Sequence, residues 1–135
     1  MKVVLISCGS KKSTETVQAK DMYQSALFKK SYDYAKRLNP DKIFILSAKY
    51  GLLNLDKRIS PYDLTLNNMN LSERQKWAEM VINQIKKEGL DLKNDEFIIL
   101  AGEKYYNNII GDGKIVNCQL PLKGLTIGKR LQFLQ

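Results

Sequence analysis

The sequence predicts an α/β protein, a single three-layer domain spanning residues 1–135 in which a four-stranded, mainly parallel sheet carries helices on both faces. Three observations predict it. Runs at 2–8, 42–48 and 96–101 are apolar almost throughout and rich in β-branched residues, as strands buried on both faces are. Stretches with apolar residues at helical spacing separate them. The first two runs also stand far enough apart for a helix to cross the sheet between them, which parallel neighbours require.

Each element follows in order. Lys2 to Cys8 is the first strand. Asp21 can cap a helix beginning near Met22, carried by Tyr23, Ala26, Leu27, Tyr34, Ala35 and Leu38 until Asn39-Pro40 stops it. Lys42 to Ala48 is the second strand. From Lys49 to Asn70 the chain is irregular, broken by Gly51 and Pro61, yet too rich in aromatic and aliphatic residues for a disordered linker; packed loops of that length commonly carry function. Ser72, with Gln75 as its reciprocal partner, caps the clearest helix, whose face runs through Trp77, Met80, Val81, Gln84 and Ile85 to a stop at Gly89. Trp77 on that face reads as core. Glu96–Ala101 is a third strand, Glu103–Ile110 a short helix, Lys114–Leu120 a fourth strand and Ile127–Phe133 a final helix.

Charge and composition narrow the function classes. Lys and Arg total 22 against 14 Asp and Glu, a formal charge of +8 that attracts polyanions, although a solvated lysine surface accounts for it equally well. No apolar run approaches the roughly 20 residues of a membrane span, and the first residues lack a signal-peptide pattern, so no membrane partner and a cytoplasmic location are expected. Cys8 and Cys118 fall in separate strands and are expected to be reduced thiols. Histidine is absent, which excludes a Cys-His nucleophile and removes the usual zinc ligand sets; neither metal nor cofactor is expected.

Open parallel sheets bind ligands beyond the carboxyl ends of their strands, which places 8–12, 47–52 and 102–106 on one rim. Cys8, Gly9, Ser10, Lys11 and Lys12 join a glycine, a hydroxyl and two lysines in a turn that suits an anion, but without the spacing of a P-loop. A tight turn with solvated lysines fits the same residues, and a buried inert thiol fits Cys8 better than a nucleophile. Ser47, Lys49, Tyr50 and Gly51 offer a cation for phosphate and an aromatic for a base or sugar; a tyrosine packed beneath the loop is the alternative. Tyr62 and Asp63 lie in the long loop, Gly102, Glu103 and Tyr105 after the third strand. Asp63 and Glu103 are the candidate catalytic carboxylates, or else a turn acceptor and a helix-start residue.

Together, Leu5-Ile6-Ser7-Cys8-Gly9-Ser10-Lys11-Lys12, Asp21-Met22-Tyr23, Ser47-Ala48-Lys49-Tyr50-Gly51-Leu52, Pro61-Tyr62-Asp63-Leu64-Thr65-Leu66, Ala101-Gly102-Glu103-Lys104-Tyr105 and Pro121-Leu122-Lys123-Gly124 resemble the YaaA-like domains of unknown function marked by a SAKYGL motif, over nearly the whole chain. The strand-end motif also resembles a domain accompanying archaeal tRNA 7-deazaguanine modification enzymes, and the element order is similar to uracil-DNA-glycosylase-like folds. These resemblances imply a nucleic acid or nucleotide as partner, a stress-response association by inherited label, and N-glycosidase chemistry at a flipped base. The chain departs from many such glycosylases in having no late-loop histidine. Two other readings stay open: an enzyme or sensor for a small phosphorylated metabolite, and a partner-binding domain with an exposed apolar patch near 62–71.

Overall fold

A computed structural model describes residues 1–9, 11–111 and 114–135 of the chain. Its elements run β1 (Lys2–Ser7), β2 (Val17–Gln18), α1 (Ala19–Met22), α2 (Ala26–Arg37), β3 (Lys42–Ser47), β4 (Gly51–Asn54), β5 (Arg58–Ile59), a 3-10 turn (Leu66–Asn68), α3 (Leu71–Lys87), β6 (Glu96–Leu100), α4 (Glu103–Ile110), β7 (Cys118–Gln119) and α5 (Ile127–Phe133).

The α/β class holds, but the central sheet is five-stranded and mixed rather than four-stranded, in the order β4-β3-β1-β6-β7. β1 pairs in parallel with β3 on one side and β6 on the other, and β6 pairs in parallel with β7. The added strand, β4, runs antiparallel to β3 and comes from the segment that sequence reading leaves irregular. Its apolar signal is two leucines, too short for periodicity to register. Gly51 makes the reversal possible: its φ of 72° lies in the left-handed region, so Ala48-Lys49-Tyr50 can turn the chain within three residues. β2 and β5 form a separate antiparallel ladder. At 114–120 the fourth expected strand contracts to Cys118 and Gln119.

Strand alternation divides the core. Val3, Leu5, Phe44, Leu46, Phe97 and Ile99 face one side, where Trp77, Ala78, Val81, Ile82 and Ile85 of α3 and Tyr106 and Ile109 of α4 cover them. Val4, Ile6, Ile45, Ile98 and Leu100 face the other, packed with Phe28 and Ala35 of α2 and Leu134 at the end of α5. Val3 through Ile6 are wholly inaccessible, which is why their run carries no polar alternation.

Two helix starts fall elsewhere than the local signals place them. α2 is capped by Ser25, whose side chain accepts the Phe28 N–H, while Asp21 lies in the separate turn α1. α3 begins with Asn70, not Ser72: Asn70 accepts the Glu73 N–H, and the Glu73 carboxylate accepts the Asn70 N–H, a reciprocal capping box. Each stretch holds two residues able to cap, Asp21 and Ser25 in one and Asn70 and Ser72 in the other, and the helices start at Ser25 and Asn70. No helix among the described residues is long and apolar enough to cross a membrane.

Candidate functional site

The connection after β1 leads to α2 on one face of the sheet, and that after β6 leads to α4 on the other. Two neighbouring strands whose chains leave in opposite directions open a crevice beyond their carboxyl ends. A cleft of about 950 Å³ lies there, with Ser7, Cys8 and Gly9 on one side, Gly102 to Tyr105 on the other, and walls supplied by Thr65, Arg74 and Arg130.

Gly9 brings the first loop close to α2: a Cβ at this position would stand 2.7 Å from Ser25 Oγ, the cap of that helix. Half-buried Cys8 presents its Sγ 3.2 Å from Tyr105 Oη, across the crevice. The Tyr105 ring is held edge-on to Trp77, with centroids 5.7 Å apart. Burial, and then charge repulsion from the neighbouring Cys8 sulfur, pushes the Tyr105 hydroxyl above its ordinary value, so at neutral pH it is protonated and not a base.

Beside the cleft, Ser47 is fully buried at the end of β3. Its Oγ accepts the Lys49 and Tyr50 N–H groups at 3.2 and 3.1 Å and contacts Tyr62 Oη at 2.8 Å, which in turn lies 2.7 Å from Tyr23 Oη. With two N–H groups already accepted, Ser47 gives its proton to Tyr62, and Tyr62 gives its own to Tyr23. Burial lifts the Tyr23 pKa to about 12 and pushes Tyr62 up as well, with Cys8 again contributing. Tyr50 meets the Tyr62 ring edge-on at 5.6 Å, and Lys12 Nζ stands 4.6 Å from its centroid, so the fixed ring holds that ammonium at the cleft wall.

Cations dominate the cleft. Lys12, Arg74, Lys104 and Arg130 line it, and Glu103 is the one carboxylate among its described lining residues. Arg130 donates from Nε to the Leu125 carbonyl at 3.0 Å, and its Nη1 lies 3.6 Å from where a Cβ on Gly102 would stand, beside the first turn of α4. Gly102 caps α4 without any side-chain hydrogen bond.

Of the residues singled out in the sequence, the structure therefore gathers Cys8, Gly9, Lys12, Gly102, Glu103 and Tyr105 around the cleft. Ser47, Tyr50 and Tyr62 form the hydroxyl and aromatic network beside it. Lys11 and Lys49 are exposed and off the cleft, Lys49 with its Nζ 5.3 Å from the Tyr50 ring centroid. Asp63 is exposed and lies outside the lining, while Glu103 accepts the Asn107 side-chain amide at 3.3 Å. Gly51 serves the β3–β4 turn, and Ser10 lies outside the described residues. Sequence reading missed Tyr23, Thr65, Arg74 and Arg130. Two of the chain's four arginines line this cleft, and no pattern in the sequence distinguishes them from Arg37 and Arg58.

Fold and cleft define a class, a three-layer α/β protein with a cation-lined crevice beyond the carboxyl ends of its parallel strands. Within it, the chain belongs to the Family of unknown function (DUF6884), whose model matches residues 3–135. Comparison with the curated proteins and with the solved structures found no match in either.

Proposed function

We propose that the cleft binds the phosphate of a nucleotide, either free or within a nucleic acid. Its charge carries the reading: four cationic side chains, three of them half-buried, face one carboxylate where α4 starts without a side-chain cap. Guanidinium groups meet phosphate oxygens with two parallel N–H bonds, and open N–H groups at a helix start add to the same preference. The overall charge of +8 draws polyanions toward the site. The resemblance of the chain's motifs to YaaA-like domains supports the same partner class. Cleavage of an N-glycosidic bond in this cleft would fall to Glu103 in preference to Asp63, since only Glu103 reaches the wall.

Binding of mononucleotides and of single- and double-stranded DNA and RNA, followed by thermal shift over a salt series, tests the reading. Arg130→Ala and Arg74→Ala are each expected to weaken binding about tenfold or more. Absence of binding at about 50 mM salt, or binding that salt does not weaken, overturns it.

A further inference from the structure

Leu64, Leu71 and Ile127 are 41%, 57% and 63% exposed, and all three line the cleft. They come from three separate segments: the long loop, the first residue of α3 and the first residue of α5. Neither helix needs an aliphatic residue there, since α3 is fixed by the Asn70–Glu73 box and α5 by Thr126, whose hydroxyl accepts the Lys129 N–H. Core packing does not account for them, and exposed aliphatic side chains gathered on one opening mark a binding surface. Of the four lining cations, Lys12, Arg74 and Arg130 are half-buried and Lys104 is exposed.

The cleft thus combines three half-buried cations with three exposed aliphatic side chains that form a lip. Its ligand must carry an anion joined to a flat or apolar group. A sugar phosphate lacks the second part, because hydroxyls gain nothing against leucine and isoleucine; a nucleoside monophosphate has both. Resting on the phosphate-binding reading above, we propose that Leu64, Leu71 and Ile127 form a base subsite that makes the cleft selective for a nucleoside monophosphate unit whose base is unpaired. Base pairing would leave that flat face stacked inside a duplex and unable to reach the lip.

Affinities of the wild-type protein for inorganic phosphate, ribose 5-phosphate, adenosine and cytidine 5′-monophosphates, a short single strand and the matching duplex, measured by titration calorimetry, test this. A mononucleotide is expected to bind at least about tenfold more tightly than ribose 5-phosphate, the gain that covering a few aliphatic groups supplies. Leu71→Ser and Ile127→Ser, both at exposed helix starts, should erase most of that preference while leaving ribose 5-phosphate affinity and melting temperature unchanged. A single strand that binds with the same lip dependence, against a duplex that does not, identifies a strand as the source of the unit; lip dependence with the free mononucleotides alone identifies the free molecule. Equal affinity for mononucleotide and sugar phosphate, equal losses for both in the variants, or lip variants that alter only self-association overturn the base subsite and leave the anion site standing. A wild-type protein that binds none of the probes overturns both readings.

Discussion

Gly51→Ala separates a structural motif from a ligand-binding one. An alanine at φ 72° adopts a left-handed conformation that costs about 1 kcal/mol. Its Cβ would also stand 2.8 Å from Met80 Cε and run into Gln84 Oε1. That amide clamps the turn at two points, accepting the Leu52 N–H at 2.7 Å and donating to the Tyr50 carbonyl at 3.0 Å, and each such bond contributes about 1 kcal/mol net. Losing the clamp as well as the backbone preference gives a loss of about 3 kcal/mol. Unfolding entropy scales to about 0.3 kcal/mol/K for a chain of 135 residues, so the melting temperature should fall by about 10 °C. Calorimetry on Gly51→Ala, Gln84→Ala and the double variant measures the loss, and the double variant should cost clearly less than the two single losses together, because both remove the same clamp. A fall of under about 3 °C for Gly51→Ala, or strict additivity, refutes the reasoning. The folded variant should retain wild-type ligand affinity, since Gly51 lies off the cleft.

Three further outcomes are expected. Tyr23, Tyr62 and Tyr105 are held protonated in the folded state, Tyr23 up to about 12, so they add stability that is complete below the ordinary tyrosine value of about 10 and is lost as pH rises through the folded-state values; urea midpoints at increasing alkalinity should fall above about pH 10, less steeply in Tyr23→Phe, and a midpoint flat to about pH 12 contradicts it. Trp77→Phe should destabilise by about 2 kcal/mol in urea titration, because the buried Ser47 carbonyl loses the indole N–H that donates to it at 2.9 Å; the single tryptophan, edge-on to Tyr105, should also change its fluorescence when the cleft fills. Gly128→Ala, near the start of α5 with open space around it, should raise stability by about 0.5 kcal/mol in the same assay.

The sheet strands β1, β3 and β6 could be read directly because each is buried on both faces, and such burial leaves an unbroken apolar run. α4 and α5 were legible to the residue from their spacing and breakers. β4 was not, because its existence rests on Gly51 turning the chain against β3 and on Gln84, 33 residues further on, locking that turn. Likewise, the cap residues Ser25 and Asn70 each stood near an equally good local alternative, and only packing of the helix on the sheet distinguishes them.

For the cleft, the sequence by itself indicated the segments after β1 and β6, whereas the third segment expected on the rim, 47–52, contributes no lining residue. A glycine follows the strand end at Cys8-Gly9 and at Ala101-Gly102, where a parallel strand hands its chain on toward a helix, and the lining lysines Lys12 and Lys104 lie two or three residues beyond. Tertiary structure alone decided which side chains share the cleft. Arg74 and Arg130 arrive from helices 56 residues apart in sequence, and Tyr105 reaches Cys8 across 97 residues. It also leaves Lys49 and Asp63 off the cleft, since the β3–β4 turn and the Tyr62 anchor fix the loop's backbone and leave both side chains in water. Local sequence specifies where a backbone turns, whereas a site is an intersection of distant segments, and their meeting depends on how the whole core packs.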